Sequence, residues 1–481
     1  MTRRLRISIM LGGAALVAAT ALTFLTGDRQ PARVEAARPE GEVPLRGTTS
    51  YMPVVDEESF DAVYTRLSRE KDSFMRRQAA LLRERYDLSD RPVAGVTMSR
   101  GKPVQGGVRV KLPKGVTWQD LAAMTPAQIK QRGLWPAGFL PLPHPKQTEG
   151  GMLFPAFHID EIKKQEGRDL ARFDLDFDLP DQFLPEFPPA IFLTTRPELG
   201  DVSQGKVVTR ENFFELFNGI LNPKDIEGFR LLVTPFPQQQ FNATRDRRSQ
   251  APSLGVACFD CHVNGHTNAA THLVGDIRPQ AFRRRIDTPS LRGVNQQRLF
   301  GSQRALRTVE DFTEFEQRAA YFDGDVVIAT KKGVNVLERG SQVHFMAELQ
   351  ELLDFPPAPK LDTFGRLDKT KATAAEQRGE ALFFGKARCA ECHAPPIFSD
   401  NFMHDLKTAQ FYEPTVVNDR MGTAGGPTKT FPLRGIKDSP PYLHDGRLLT
   451  LDDTVEFFNL VLALKLTEAE KKDLLAYLYV L

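Results

Sequence analysis

All four cysteines of the chain fall in two pentads of one type, Cys258-Phe259-Asp260-Cys261-His262 and Cys389-Ala390-Glu391-Cys392-His393. Thiols at i and i+3 sit on one helical turn, and the histidine that follows lies beside them. This spacing suits two thioether bonds to the vinyl groups of a porphyrin, with the imidazole as the proximal iron ligand. Disulfide pairing, the common use of cysteine outside the cytoplasm, leaves the adjacent histidines unexplained. A shared zinc site needs four ligands converging on one ion, commonly with ~15–20 residues between the cysteine pairs. Here 127 residues intervene. A thioredoxin-like motif needs one pair on a βαβ unit, and none is visible. The pentads therefore predict two covalently bound haem c groups, attached at Cys258, Cys261, Cys389 and Cys392, with His262 and His393 on iron.

The chain around the pentads repeats itself. Leu291-Arg292-Gly293 recurs as Leu433-Arg434-Gly435, and the same offset of 142 pairs Phe300 with Tyr442, Thr308 with Thr450, Asp311 with Asp453 and Phe315 with Phe457. The pentads are offset by 131, so the second copy has gained 11 residues between pentad and repeat. Two related haem domains in tandem are expected. The helices that must hold the pentads carry their own signals. Thr373-x-x-Glu376 is a capping box opening a helix to Phe384, just ahead of the second pentad. Thr467-x-x-Glu470 opens a last helix with Leu474, Leu475, Leu478 and Leu481 at helical spacing. In the first copy, Glu211 to Leu221 could be the corresponding leading helix. His266 and His272, close behind the first pentad, could each serve as a removable distal ligand, a distal acid–base group or a plain surface histidine. Arg292 and Arg434, equivalent in the repeat, are reasonable propionate partners.

The whole chain bounds the reading. Its 481 residues suggest two to four domains with ample core material. A composition 41% hydrophobic and 26% charged is that of a globular protein, and a net charge of only +2 gives no argument for nucleic acid. The arginine runs at Arg245-Asp246-Arg247-Arg248 and Arg283-Arg284-Arg285 are local, suited to solvated surface or to propionate or partner contact. Arg3, Arg4 and Arg6 precede an uncharged run from Ile7 to Gly27, an export signal close to the ~20 residues that span a bilayer. Cleavage after a small-x-small site (Val34-Glu35-Ala36) and retention as an inner-membrane anchor both stay open, and either exports the rest to the periplasm. Residues 40–205 are rich in Pro and Gly with short β-type runs such as Val108 to Leu112 and Ala190 to Thr194. The expected fold is mainly α: two tandem cytochrome c-like haem domains plus an irregular, Pro/Gly-rich N-terminal domain with some β. The expected bounds are 1–27 for signal or anchor, 28–205 for the extension, 206–340 for the first haem domain and 341–481 for the second.

The stretch from Phe431 to Gly446, with Pro441-Tyr442-Leu443-His444-Asp445-Gly446, resembles the C-terminal haem domain of the bacterial dihaem cytochrome c peroxidase and MauG family. So does the run from Cys389 to His393 followed by Phe398-Ser399-Asp400-Asn401 and His404. The resemblance covers roughly residues 205–481. It implies that His262 holds the haem that meets hydrogen peroxide, and that His393 holds a six-coordinate haem taking electrons from a small periplasmic donor such as a cytochrome c or cupredoxin. An open coordination site suits the first task and a ligand set that does not reorganise suits the second.

Three departures bear on that transfer. In the family the sixth ligand of the second haem, Met or Tyr, lies about fourteen residues beyond the His-Asp-Gly histidine, whereas here the count from His444 reaches Phe458. Met403, His404 and Met421 are the alternatives, or that haem is five-coordinate. A Trp usually stands between the haems; here Phe300-Gly301 occupies the position, and Trp118 and Trp135 are both in the extension. The Gln and Glu that handle peroxide protons in the family are replaced: Phe312 falls near the Gln, and Glu314, with Glu310, Glu316 or Asp323, is the available acid. Two functions stay in view. One is a peroxidase-like oxidoreductase, with His272, His266 and Glu314 as catalytic candidates. The other is a dihaem electron carrier without peroxide turnover; an apolar distal pocket, as in haem-c rubber oxygenases, also admits dioxygen as substrate.

Overall fold

In a computed structural model, the chain divides into two compact units, Met1–Pro44 and Leu45–Leu481. The structure describes residues 86–106, 109–134, 184–234, 257–269, 271–274, 284–316, 336–406, 416–417, 420–421, 427–444, 446 and 448–481, with isolated helical positions between 69 and 83. The apolar run at Ile7 to Gly27, the arginines at 245–248, Trp135, Asp323 and Asp445 lie outside them. Among the described residues no helix is long and apolar enough to cross a membrane.

Helices dominate, and the strands form five short antiparallel pairs among the described residues. In chain order the elements used below are β1 (Tyr86–Asp87), β2 (Pro92–Thr97), β3 (Pro103–Gln105), β4 (Arg109–Val110), α1 (Trp118–Ala123) and α2 (Pro126–Gln131). Then come α3 (Phe213–Phe217), α4 (Pro223–Leu232), α5 (Cys258–Cys261), β5 (Thr271–Val274), β6 (Arg284–Asp287), α6 (Val309–Phe315) and α7 (Val336–Leu352). The last are α8 (Ala374–Phe384), β7 (Met403–His404), β8 (Val416–Val417), β9 (Arg420–Met421), β10 (Thr428–Lys429), α9 (Leu451–Val461) and α10 (Glu468–Leu478).

The capping boxes start helices where the sequence places them. Thr373 caps α8 with Glu376 returning the bond, and Thr467 does the same for α10 with Glu470. The repeat is also visible in space. Thr308 caps α6 through the amide of Asp311, as Thr450 caps α9 through that of Asp453. An antiparallel bridge joins Phe300 to Leu306, and its counterpart joins Tyr442 to Leu448. Gly293 and Gly435 take left-handed backbone, φ 71° and 72°, just before matching 3₁₀ turns. A Cβ at the second would meet the Pro356 ring at 2.7 Å.

Each lobe is built on a crossed helix pair. α4 packs on α7 and α8 packs on α10. The crossings close on glycine: a Cβ at Gly228 would run into the carbonyl of Phe345, and one at Gly379 into that of Asp473. This corrects one expectation. The leading helix of the first copy is not Glu211 to Leu221, where only the five-residue α3 forms, but α4, opened by Asn222 and Pro223. The phenylalanines that suggested a helix there are core residues of the lobe: Phe213 and Phe217 are buried while Phe214 is exposed.

The cores also divide the chain differently from the expected bounds at 205 and 340. The first-lobe core runs from Ile191, Leu193 and Val202 through Phe229 and Phe259 to Leu353, so the 340 boundary cuts through α7. The hairpin β2–β3 and strands β1–β4 pack on the second lobe, where Tyr86, Met98 and Val104 share a core with Tyr477 and Tyr479. α1 and α2 seat Leu121 and Ile129 on Leu460 of α9, and Trp118 packs nearby.

Candidate functional site

The two pentads are built alike. α5 is a single turn whose amide at His262 bonds the Cys258 carbonyl at 2.9 Å, and the amide of His393 bonds that of Cys389 at the same distance. The cysteines of each pair are thereby held on one turn, as thioether attachment needs. Burial, then Cys261 and Glu316, pushes the Cys258 thiol up to about 12; burial pushes Cys389 to about 12 as well.

Each histidine is oriented through Nδ1. His262 donates to the carbonyl of Pro289 and His393 to that of Phe398, both at 2.9 Å. The carbonyl of Phe431, the repeat equivalent of Pro289, also faces the His393 ring, and burial holds this imidazole below its usual pKa. A ring that donates through Nδ1 leaves Nε2 to face a metal.

Both imidazoles border one cavity of about 680 Å³, which also reaches Cys261, Cys389 and Cys392. That volume is in the range of cofactor sites. Its far walls are apolar. Val309, Phe312 and Phe315 of α6 close it on the side of the first pentad, and Val455 and Phe458 of α9 close it on the side of the second. Phe458 therefore stands in the wall where the sequence count puts it. His404 also borders the cavity and is held by Asp400 at 2.6 Å; Met403 is not among its lining residues, and the Met421 side chain lies outside those described. Phe300 and Gly301 line the cavity as well. His444 borders it too, and its carbonyl accepts the amide of Asp287 at 2.8 Å.

The remaining expected residues are distributed unevenly. His272 lies in β5 opposite Ile286 of β6, and its side chain is outside the described set. His266 borders the cavity but both ring nitrogens are committed: Nε2–H donates to the carbonyl of Asp438 at 2.5 Å, and Nδ1 pairs with the Ser290 hydroxyl at 2.8 Å. Burial first, and the Arg292 charge second, pull its pKa down to about 4. Held this way, the ring bridges Ser290 and Asp438. Glu314 is not among the residues that border the cavity. The acid that borders the cavity is Glu316, just past the end of α6, close enough to Cys258 to raise its pKa. Glu310 instead faces His344 at 3.8 Å on the surface.

Arg292 is buried against Asp438 (Nη1 to Oδ2, 2.7 Å) and the carbonyl of Ala190 (Nη2, 2.7 Å). Its Nε is buried with no acceptor among the described residues, and Arg292 is one of the residues that border the cavity. Arg434 donates to the carbonyls of Leu481 and Pro356 and stacks over Phe355 at 5.6 Å. The paired thiols, the Nδ1-anchored histidines, the shared cavity and the orphaned guanidinium nitrogen all fit haem. Sequence reasoning missed Asp438, which gathers Arg292, His266 and the amide of Glu186 from three parts of the chain. No spacing announces it, because its partners come from 146 positions away and more.

No protein-family model matches the chain. A cytochrome-c peroxidase, IdrP2 from Pseudomonas sp. (strain SCT), is 31% identical over 159 residues, covering 25% of this chain and 43% of the relative. The methylamine utilization protein MauG of Methylorubrum extorquens is 32% identical over 152 residues, covering 28% of this chain and 41% of the relative. The chain thus spans less than half the length of the curated relatives it matches. The crystal structure of the diheme peroxidase BthA from Burkholderia thailandensis aligns with a TM-score of 0.36 and 15% identity, over 61% of this chain and 92% of that one. The resemblance to cytochrome c peroxidases and MauG is borne out by the curated relatives.

Proposed function

We propose that the protein is a periplasmic dihaem c-type oxidoreductase, peroxidase-like, in which hydrogen peroxide reacts at the His262 site with electrons relayed through the His393 site. What supports this most is the pair of Cys-x-x-Cys-His turns, each with its imidazole anchored through Nδ1, opening on one cavity. Bound haem would supply the redox centre and the coordination position for peroxide at the first site, and an electron store at the second. The chain's own residues shape what happens there. Phe312 and Phe315 keep bulk water from the first site, which strengthens the electrostatic effect of any charge inside it. Glu316 borders the cavity, and in this reading its carboxylate takes a proton from peroxide and returns it to the departing oxygen. Neutral His266 does not take that part, since both its nitrogens are occupied. The donor is a small periplasmic electron-transfer protein.

A second reading has its own observation. Phe312 and Phe458 stand in the cavity wall where the resemblance expects a Gln and a Met or Tyr, which favours a dihaem electron carrier without turnover. Stopped-flow mixing of the reduced protein with peroxide, and separately with dioxygen, decides among them. Rapid haem oxidation by peroxide with turnover on a small cytochrome donor is expected. Haem that stays reduced after mixing, or oxidation without turnover, replaces the enzyme with the carrier.

A further inference from the structure

Among the groups around the cavity, Lys429 stands out because no described residue supplies an opposite charge to it. It is 3% exposed, at the end of β10. Its amide donates to the carbonyl of Ser302 at 2.9 Å, which pins it across the boundary between the lobes. Its Nζ donates to the Gln297 side-chain oxygen at 3.0 Å and lies 5.2 Å from the Phe300 ring centre and 5.4 Å from that of Phe431. No carboxylate among the described residues forms an ion pair with it; the charged group facing it is another cation, Arg304. Burial, then Arg304, lowers its pKa to about 8, so the ammonium form still predominates at neutral pH.

Burying an ammonium this deeply without a counter-charge is unfavourable by several kcal/mol per ion. One amide oxygen and two aromatic faces offset only part of that. Arg292, by contrast, is balanced by Asp438. The cavity wall that holds Lys429, Gln297, Phe300 and Phe431 also holds residues of both pentads. A haem bears two propionate carboxylates, the anionic groups that the cavity would bring. We infer that Lys429 is a fixed cation between the two haem sites, balanced by a haem propionate, and that it raises the reduction potential of at least one haem. A positive charge in a low-dielectric site favours the reduced form, which carries one positive charge fewer.

The inference rests on the haem reading of the pentads, so haem content is measured first by the pyridine haemochrome assay on the full chain. Reduced-to-oxidised ratios of each haem are then read by spectroelectrochemistry at fixed potentials. Lys429→Met removes the charge at similar volume; Gln297→Glu keeps the ammonium and supplies it with a protein carboxylate. Both variants are expected to lower the ratio for the same haem by roughly tenfold, which for a one-electron couple is 59 mV. Lys429→Gln, which retains a bonding partner for Gln297, must give the same loss where the Met variant does not accumulate. Ratios within twofold of the parent for both haems, in variants that hold two haems, overturn the inference alone. A parent protein with a haem count other than two overturns the reading of the pentads and this inference with it.

Discussion

His266 joins the lobes as a neutral ring, and acid should therefore loosen that joint. Its side chain is 2% exposed, with its pKa about 4 against an ordinary value of 6.5. The unfolded chain takes up a proton as pH falls through 6.5, while the folded protein resists until about pH 4. Stability from this group is thus complete above pH 6.5 and is lost on acidification toward pH 4. The linkage gives a loss of about 2 kcal/mol at pH 5 and about 3 kcal/mol at pH 4. Urea unfolding of the haem-loaded protein, followed by near-ultraviolet circular dichroism at pH 7, 6 and 5, measures it. The His266→Gln variant serves as the reference, because other titrating groups cancel in the difference. Between pH 7 and 5 the parent should lose about 2 kcal/mol more than the variant. Parallel losses, agreeing to within about 0.5 kcal/mol, would show that the ring is not held neutral and that the bridge at Asp438 is not as drawn.

Phe458→Tyr should place a phenol in the cavity wall and change the absorption spectrum of one haem; an unchanged spectrum means that α9 is turned otherwise. Glu316→Gln should lower peroxide-driven haem oxidation by roughly 10²–10⁴-fold at unchanged haem content, and Glu314→Gln should leave the rate within a few-fold. Gly379→Ala should destabilise the second lobe by about 1–3 kcal/mol, seen as a lowered thermal midpoint, because its Cβ meets the Asp473 backbone rather than a side chain that can turn away.

The two Cys-x-x-Cys-His turns were legible because their pattern is local: five consecutive residues carry it. The helix starts at Thr373 and Thr467 were legible for the same reason, since a capping box closes within four residues. The tandem repeat could be read from Leu-Arg-Gly alone, and the matching left-handed glycines and bridges agree with it. What failed was everything decided at a distance. The aromatic run at Phe213 to Phe217 has the periodicity of a helix, but the helix that crosses α7 is the one with a glycine at the contact. Glu314 and Glu316 are equally acidic in sequence; only the seating of α6 shows which one reaches the cavity. Lys429 and Asp438 carried no signal, because their partners sit more than a hundred positions away. Sequence pattern reports what neighbours along the chain do together, and burial of a charge is decided by neighbours in space.

The segment from Glu186 to Val208 now takes on a different character from a decorative extension. Glu186 gives its amide to Asp438, Ala190 gives its carbonyl to Arg292, and Pro189 and Lys206 give theirs to Asn264, two residues past the first pentad. Its apolar residues, Ile191, Leu193 and Val202, are sewn into the first lobe. This strand of chain works as a gasket: it keeps water from the Arg292–Asp438 pair, which in contact with solvent would be worth only about 0–1 kcal/mol. A protein trimmed at residue 206, where the resemblance to peroxidases begins, would keep both pentads yet lose the seal that makes the two halves one body.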